Sequence, residues 1–329
     1  MQKTVNEVKI IGRLFSYDLK EAEVKNPSSA KFGQSYINGT VNIATDDAGM
    51  NIVPITYVFV QSVFGSGKPN STYAVLKKLI DGGDDIKTVS DNGIENATIV
   101  EASKAAISLD DRYVTASNEY KSYVTTSGGF LSIRKSSDLP AKEEDRNSFD
   151  TDIVITKVTR VPEDADKNIK DHSIVHGAIF GYGGVIYPMD FKVTSASGMD
   201  YFEGLGASNA NPVFTKIHGQ IVNNRQVIQT QEQTAFGAPI ISTTTKITRD
   251  RIITSAIASP YVFGQPNTIT AEELTKAMQD REIYLAKVKK DAEDYAATKS
   301  TTTNAVGGAA TGTSYNPAAA PAKAGQFLF

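Results

Sequence analysis

Apolar and polar positions alternate with a period of two along most of the chain, the spacing of half-buried β-strands. Residues 5–14 (VNEVKIIGRL) are rich in β-branched side chains. In residues 36–44, Ile37, Val41 and Ile43 fall on one face, and Tyr36, Asn38, Thr40 and Asn42 on the other. Residues 52–60 (IVPITYVFV) are apolar on both faces, which predicts cover on each side or an aromatic binding face, with Pro54 near the strand start or on an edge. The pattern then switches. After the turn residues GSGKPNS at 65–71, Val75, Leu76, Leu79 and Ile80 follow helical spacing over 72–80, and Gly82 and Gly83 stop the helix. Extended segments are predicted at 97–109 and 112–135, the latter as a hairpin around TTSGG.

Residues 138–152 break the alternation. They carry six carboxylates against Lys142 and Arg146, a net of −4, and are expected to be a linker. Strand patterns resume at 152–161, 174–193 (a hairpin around Gly183 and Gly184), 213–225 and 247–257, with a Gly- and Ser-rich stretch near residues 198–209. One long helix is predicted at 271–297. Thr270 and Glu273 form a capping box at its start, and Leu274, Met278, Leu285, Val288 and Tyr295 form a stripe interrupted at Arg281. Residues 300–324 have Lys323 as their one charge and are expected to be a flexible tail, ending in the apolar tip Phe327, Leu328 and Phe329. The expected division is therefore 1–137, a linker at 138–151, 152–268, a helix at 269–299 and a tail at 300–329.

Composition narrows the chemistry. The 329 residues, enough for about two domains, include 34 Lys and Arg against 37 Asp and Glu, a formal charge of −3. That balance argues against a histone-like coat on duplex DNA, so any nucleic-acid binding must come from local patches. There is no Cys, which removes disulfides, a thiol nucleophile and zinc ribbons. No apolar run is long enough for a membrane span, and the N-terminus lacks a signal-peptide pattern.

The element order strand, strand, strand, short helix, strand, strand is that of an OB-fold barrel with its helix plugging the bottom. Asn6-Glu7-Val8-Lys9-Ile10-Ile11-Gly12-Arg13-Leu14 resembles the opening strand of bacterial and bacteriophage single-stranded DNA-binding proteins, Asn-x-Val-x-Leu-Ile-Gly-x-Leu. Val41-Asn42-Ile43-Ala44 is similar to the end of that family's second strand, and residues 55–60 and 73–80 to its third strand and helix. His218-Gly219-Gln220-Ile221-Val222 resembles a fourth strand of such a barrel. The resemblance implies a mostly β chain of two tandem OB-like five-stranded barrels, a C-terminal helix and a disordered tail. It further implies a non-enzymatic protein that coats and protects single-stranded DNA in phage-type replication or recombination, in the cytoplasm of a bacterial host. In the family a tail ending in Phe recruits replication partners. Here the acidic residues expected before the tip are absent.

Single strands are held by cations for phosphates and flat rings for bases, at roughly 1–3 kcal/mol per stacked base. Residues 112–135 interleave both: Arg112, Lys121, Arg134 and Lys135 against Glu119, with Tyr113, Tyr120, Tyr123 and Phe130. Phe130 and Arg134 are expected to face out together. Lys9 and Arg13 share a face of the first strand, Tyr36 opposes the apolar set of the second, and Tyr57 and Phe59 share a face that could form a stacking platform. In the second half, Lys216, Arg225, Lys246, Arg249 and Arg251 stand against Glu232 and Asp250. If Val213, Ile217 and Ile221 are core, then Phe214, Lys216 and His218 face outward. Tyr57, Phe59, Tyr120, Tyr123 and Arg134 are expected to line one open groove. The plainer reading is that Tyr and Phe are ordinary strand residues and that strand cations guard edges.

Other patterns carry less. His172 and His176 are four apart but sit in a loop leading into a strand, with no third ligand nearby. Glu143, Glu144 and Asp145 read as solvated, and Gly181 to Gly184 sit in a hairpin rather than before a helix. No G-x-S-x-G or P-loop signature appears, and no cofactor or metal is expected. Expected partners are single-stranded DNA, replication proteins at the tip and further copies of the chain, with no membrane. The rival readings are a virion structural or assembly protein of tandem β units, and a β-rich nuclease that would need a carboxylate cluster for a divalent ion.

Overall fold

A computed structural model describes residues 4–303, apart from residues 84, 233–235, 237–239 and 267. Its first half holds β1 (Asn6–Glu23), β2 (Ser35–Ala44), β3 (Ile52–Gln61), α1 (Ser71–Asp81), α2 (Val89–Asn92), β4 (Ile99–Val114), β5 (Glu119–Ser127) and β6 (Phe130–Arg134). The second holds β7 (Asn147–Val161), β8 (His172–Phe180), β9 (Ile186–Val193), α3 (Ala196–Gly204), β10 (Val213–Glu232), β11 (Ile240–Ala256) and α4 (Ala271–Thr303).

The strand pairings close a ring in each half. In the first, β1 pairs with β2, β2 with β3, β3 with β5 (parallel), β5 with β4, and β4 returns to β1. In the second, β7 pairs with β8, β8 with β9, β9 with β11 (parallel), β11 with β10, and β10 returns to β7. Both rings have the same strand order, and each has a helix, α1 or α3, between its third and fourth strands, with the short α2 added in the first. This is the mostly β, OB-like order expected from the sequence. Inward residues such as Val8, Ile10, Leu14, Val41, Ile55, Ile107, Ile153, Val175, Ile179 and Ile217 are all completely buried. Each contributes about 1.5–3 kcal/mol by leaving water. The two interiors merge into one apolar cluster, which Leu76 and Leu79 of α1 and Met199 and Phe202 of α3 plug from below.

α1 begins where Asn70 accepts hydrogen bonds from the Thr72 and Tyr73 amides, and ends at Gly82 in the left-handed conformation (φ 61°). α3 was not expected from its Gly- and Ser-rich sequence. Its signal is the pair Met199 and Phe202, three apart on the buried face.

Three expectations need correction. Residues 112–135 do not fold into a hairpin around TTSGG. β5 and β6 instead lie end to end along one edge of β4, pairing with residues 106–114 and 99–103. Gly128 and Gly129 (φ 72° and 83°) let the chain step past the irregularity at Lys104, and a Cβ on Gly129 would fall 2.5 Å from the Ser103 carbonyl oxygen. The hairpin turn lies earlier, between Val114 and Glu119. Residues 138–151 are not a plain linker. Arg146 is buried, donating to the Pro140 carbonyl (2.7 Å) and to Asp47 (2.7 Å), and β7 starts at Asn147. Finally, β1 continues to Glu23 rather than stopping near residue 14, because β2 pairs with its residues 13–23.

The halves join through their first strands. Residues 6–10 of β1 pair antiparallel with residues 151–147 of β7, so Asn6 faces Thr151 and Asn147 faces Ile10. The two asparagines then do the same thing in their own rings. Asn6 accepts from the Ile107 amide (3.0 Å) and donates to the Ile107 carbonyl (2.9 Å). Asn147 accepts from the Ile221 amide (3.2 Å) and donates to the Ile221 carbonyl. Each side-chain amide thus completes the backbone pairing of the fourth strand where its ladder with the first strand ends. Past these clasps the β4–β5 and β10–β11 hairpins run on as arms.

Candidate nucleic-acid interface

On the first arm the sequence cluster 112–135 divides by strand parity. Tyr113 lies opposite Tyr120, and Asp111 opposite Ser122, on one face; Arg112 lies opposite Lys121, and Asp110 opposite Tyr123, on the other. α4 covers the first face. Arg281 reaches Asp111 at 2.9 Å with both side chains nearly fully buried, Tyr120 donates to the Leu285 carbonyl (3.1 Å), and the Lys289 ammonium lies 5.0 Å from the Tyr113 ring centre. Tyr113 is buried, against the expectation that it is open to a base, because Tyr120 (ring centres 5.1 Å apart) and α4 close over it. The other face is open. Tyr123 is exposed with the Arg112 guanidinium 5.7 Å from its ring centre, and Lys121 stands exposed beside them. Asp110 shares the charge of Arg112 at 2.6 Å.

A second site lies at the other end of the first ring. Phe59 and Tyr36 have ring centres 4.4 Å apart, and the Lys31 ammonium sits 4.7 Å from the Phe59 centre. Phe32 beside it is exposed. Lys31 and Phe32 were missed in the sequence, which was read for strands. Their signal was a cation next to a ring, followed by Gly33 in a left-handed turn (φ 77°). Tyr57 does not join this platform. A bulge in β3 between Tyr57 and Val60 separates the two, so Tyr57 keeps the inner face of Val53 and Ile55 while Phe59 turns outward beside Tyr36, against the expectation of a shared face. Tyr57 is 2% exposed, its hydroxyl has no partner, and burial pushes its phenol well above the ordinary range, whereas Phe59 is exposed.

Phe130 and Arg134 face out together as expected, both exposed. Their patch is electrostatically muted, since Arg134 (2.6 Å) and Lys9 (3.6 Å) share the carboxylate of Glu101. Lys135 is exposed beside them. Arg13 is half-buried and donates to the Glu95 carbonyl (3.4 Å). The expected single groove does not form. Thr126 pairs with Ile55, so Tyr123 stands level with Ile52 and Phe59 lies seven residues further along, roughly 23 Å at the rise of a strand. Tyr120 and Arg134 lie on further, separate surfaces.

In the second half, Phe214 does oppose the core set, but its face is covered. Phe180, Tyr261, Phe263 and Ile269 pack on it, and it is 2% exposed. Lys216 is half-buried, and its charge lies close enough to Asp152 to lower that carboxyl's pKa. The net shift there is upward, because burial outweighs it. His218 bonds Asp150, and His176 bonds Asp190 (2.7 Å) and Thr159 (3.1 Å), both as cross-strand polar pairs. On the second arm, Arg225 and Arg249 share a face and are exposed, with Lys246 exposed on the other face. Arg251 continues the same face but sits opposite core residue Ile221. It is desolvated there, its Nε has no partner, and burial lowers its pKa to about 10.

The arm is held by the first half. Asn51 accepts from the Asn223 amide (2.7 Å), and the Met50 carbonyl accepts from the Arg225 amide (2.8 Å). A polar recess of about 800 Å³ opens beside this contact. Asp46, Glu143 and Glu144 against Lys142 give it the wrong sign for phosphate. Among the described residues no group of three or more His, Cys, Asp or Glu could hold a metal ion, and no helix is long and apolar enough to cross a membrane. The tip residues Phe327, Leu328 and Phe329, and the tail from residue 304 on, lie outside the described residues.

Among solved structures, the chain is similar to the single-stranded DNA-binding protein from Thermus aquaticus. A deletion mutant of that protein matches with a TM-score of 0.44 at 9% identity. The wild type matches with a TM-score of 0.42 at 10% identity. In each case 80% of this chain and 97% of that chain are covered. The strand pairings themselves, not these superpositions, establish the fold. No curated protein matches the sequence. The family model of YorF matches residues 4–291, most of the chain, and the protein therefore belongs to the YorF family.

Proposed function

We propose that this protein binds single-stranded nucleic acid, single-stranded DNA in particular, as a non-enzymatic coat. The observation that carries the reading is the pairing of open rings with cations at two sites of one ring of strands. Lys31 lies over Phe59 with Tyr36 beside it, and Arg112 lies over Tyr123 with Lys121 across the ladder. A ring and a cation on one open strand face offer a base its stacking partner and the adjoining phosphate its counter-charge. Arg225 and Arg249, on one face of the second arm, extend the cationic track without rings, which suits backbone contact. The first strand's resemblance to those of bacterial and bacteriophage single-stranded DNA-binding proteins supports a setting in replication or recombination within a bacterial cytoplasm.

The test is fluorescence anisotropy of labelled poly-dT with the full chain, from low to physiological salt, beside duplex DNA and poly-U. The proposal expects saturable binding to poly-dT that weakens as salt rises, with a slope of about −0.7 per phosphate neutralised, and weaker binding to duplex. Absence of binding to any single strand at low salt, where the phosphate contribution is largest, overturns it. Tighter binding to poly-U than to poly-dT overturns the choice of DNA.

A further inference from the structure

An apolar groove of about 390 Å³ lies beside the start of α4, between the end of α3, the start of β10 and the segment preceding the helix. Its walls include Leu205, Val213, Phe214, Tyr261, Val262 and Phe263, and no charged residue lines it. Val262 is 64% exposed at its rim. It is remote from the sites of the proposed DNA track, and its lining offers a phosphate no cation.

We propose that this groove seats the Phe327-Leu328-Phe329 segment of a second copy of the chain. Residues 304–329 contain one charged residue, Lys323, and just five large apolar or aromatic ones: Val306, Tyr315, Phe327, Leu328 and Phe329. Three of the five are consecutive. An uncharged apolar groove and three apolar side chains match in chemistry, and burying those side chains desolvates no ionised side chain. The same absence of acidic residues makes the tip a poor ligand for a basic pocket.

Geometry selects the neighbouring copy. α4 starts beside the groove, where Ala277 and Leu274 pack with Phe214 and Phe263, and leaves it toward the first arm through Arg281, Leu285 and Lys289. At about 1.5 Å per residue its 33 residues carry the chain roughly 50 Å away. Residues 304–326 number twenty-three, so a return over that distance requires about 2.2 Å of net advance per residue, most of the roughly 3.3–3.6 Å a fully extended chain allows. A path required to run so directly depresses the effective concentration of the tip at its own groove. The groove of an adjacent copy requires no such extension.

The absence of native cysteine allows a direct test with full-length chains. Chains carrying Val262→Cys are mixed with chains carrying Gln326→Cys and oxidised with diamide, and the products are separated without reductant. A Val262→Cys, Gln326→Cys double variant reports docking within one chain. The proposal expects mixed disulfide dimers in excess of either homodimer. It expects their loss when Phe327→Ser, Leu328→Ser and Phe329→Ser are added, and background yield when Lys20→Cys replaces Val262→Cys. A predominantly intrachain disulfide in the double variant overturns it in favour of the chain's own groove. A mixed-dimer yield insensitive to the serine substitutions, or no greater than with Lys20→Cys, overturns it outright. Val262→Asp in an otherwise native chain, tolerable at so exposed a position, is expected to lower self-association in sedimentation velocity. None of these outcomes depends on whether the protein binds DNA.

Discussion

The first arm beyond Ile107 and the second arm beyond Ile221 leave their rings in the same way, each clasped by an asparagine of the first strand, yet they meet opposite surroundings. The first arm carries Tyr113, Tyr120 and Tyr123, and α4 lies along one of its faces. The second carries β-branched residues and amides, with Ile228, Ile241 and Ile247 exposed, and beyond the contact with Met50 and Asn51 its described side chains are open to solvent. The difference teaches how to read tyrosines on a strand. A run of them supplies the apolar area that a helix needs to dock, so ring density marks covered faces as readily as binding faces. Of the three rings on the first arm, only Tyr123 keeps a face free of α4 with a cation above it.

The comparison breaks most visibly at Arg281. Arg281→Ala strands the buried Asp111 carboxylate, whose second oxygen already lacks a partner, and is expected to cost about 3–5 kcal/mol in chemical denaturation. The pair Arg281→Met with Asp111→Leu is expected to recover most of that loss; if it does not, α4 is held by something other than this ion pair. Next in size are the two clasps. Asn6→Ala and Asn147→Ala each leave a backbone amide and carbonyl unpaired and are expected to cost about 1–3 kcal/mol apiece. Unequal losses would show that the two halves do not use the device equally.

On binding, Tyr123→Ala is expected to weaken poly-dT by about 1–3 kcal/mol, whereas Tyr113→Phe, beneath α4, is expected to leave affinity unchanged. Titrations that reverse that order place the track on the face α4 covers. Arg225→Gln and Arg249→Gln on the second arm are each expected to flatten the salt dependence by about 0.7, with no change in the preference among bases. The smallest effect concerns Asp152. Burial raises its pKa above the ordinary 3.8, so the folded state holds its proton more tightly than the unfolded chain. Stability relative to an Asp152→Asn variant should therefore fall as pH rises through the range just above 3.8, and a flat difference across that range removes burial as the cause.

Much of the first ring was legible because local signals agreed with its final environment. The alternation of Ile37, Val41 and Ile43, the spacing of Leu76 and Leu79 with Gly82 behind them, and the opening strand from Asn6 all fall where the pattern puts them. The second ring was harder to see at its start. Asn147 and Phe149 repeat Asn6 and Val8 across the junction, yet they follow Glu143, Glu144 and Asp145, whose charge made the whole stretch look solvated. The site residues failed where parity was right but cover was unknown. Phe214 does oppose Ile217, whereas the bulge after Tyr57, which no periodicity announces, turns Phe59 to the other face. Which of two faces another element will occupy is decided by tertiary packing, and no periodicity within one strand reports it. Lys31 was overlooked for the converse reason, since its loop has no period at all.

The antiparallel junction of β1 and β7 also has a mechanical meaning. Along one edge β1 pairs first with β7 (residues 6–10) and then with β2 (residues 13–23), while residues 8–13 pair with β4 on the other edge. The molecule thus lacks a joint at its middle, and a load applied to either arm must shear a continuous ladder rather than unzip one rung at a time. A filament gripping these arms and drawn taut would be met by one stiff body, with no swivelling pair of beads to absorb the slack.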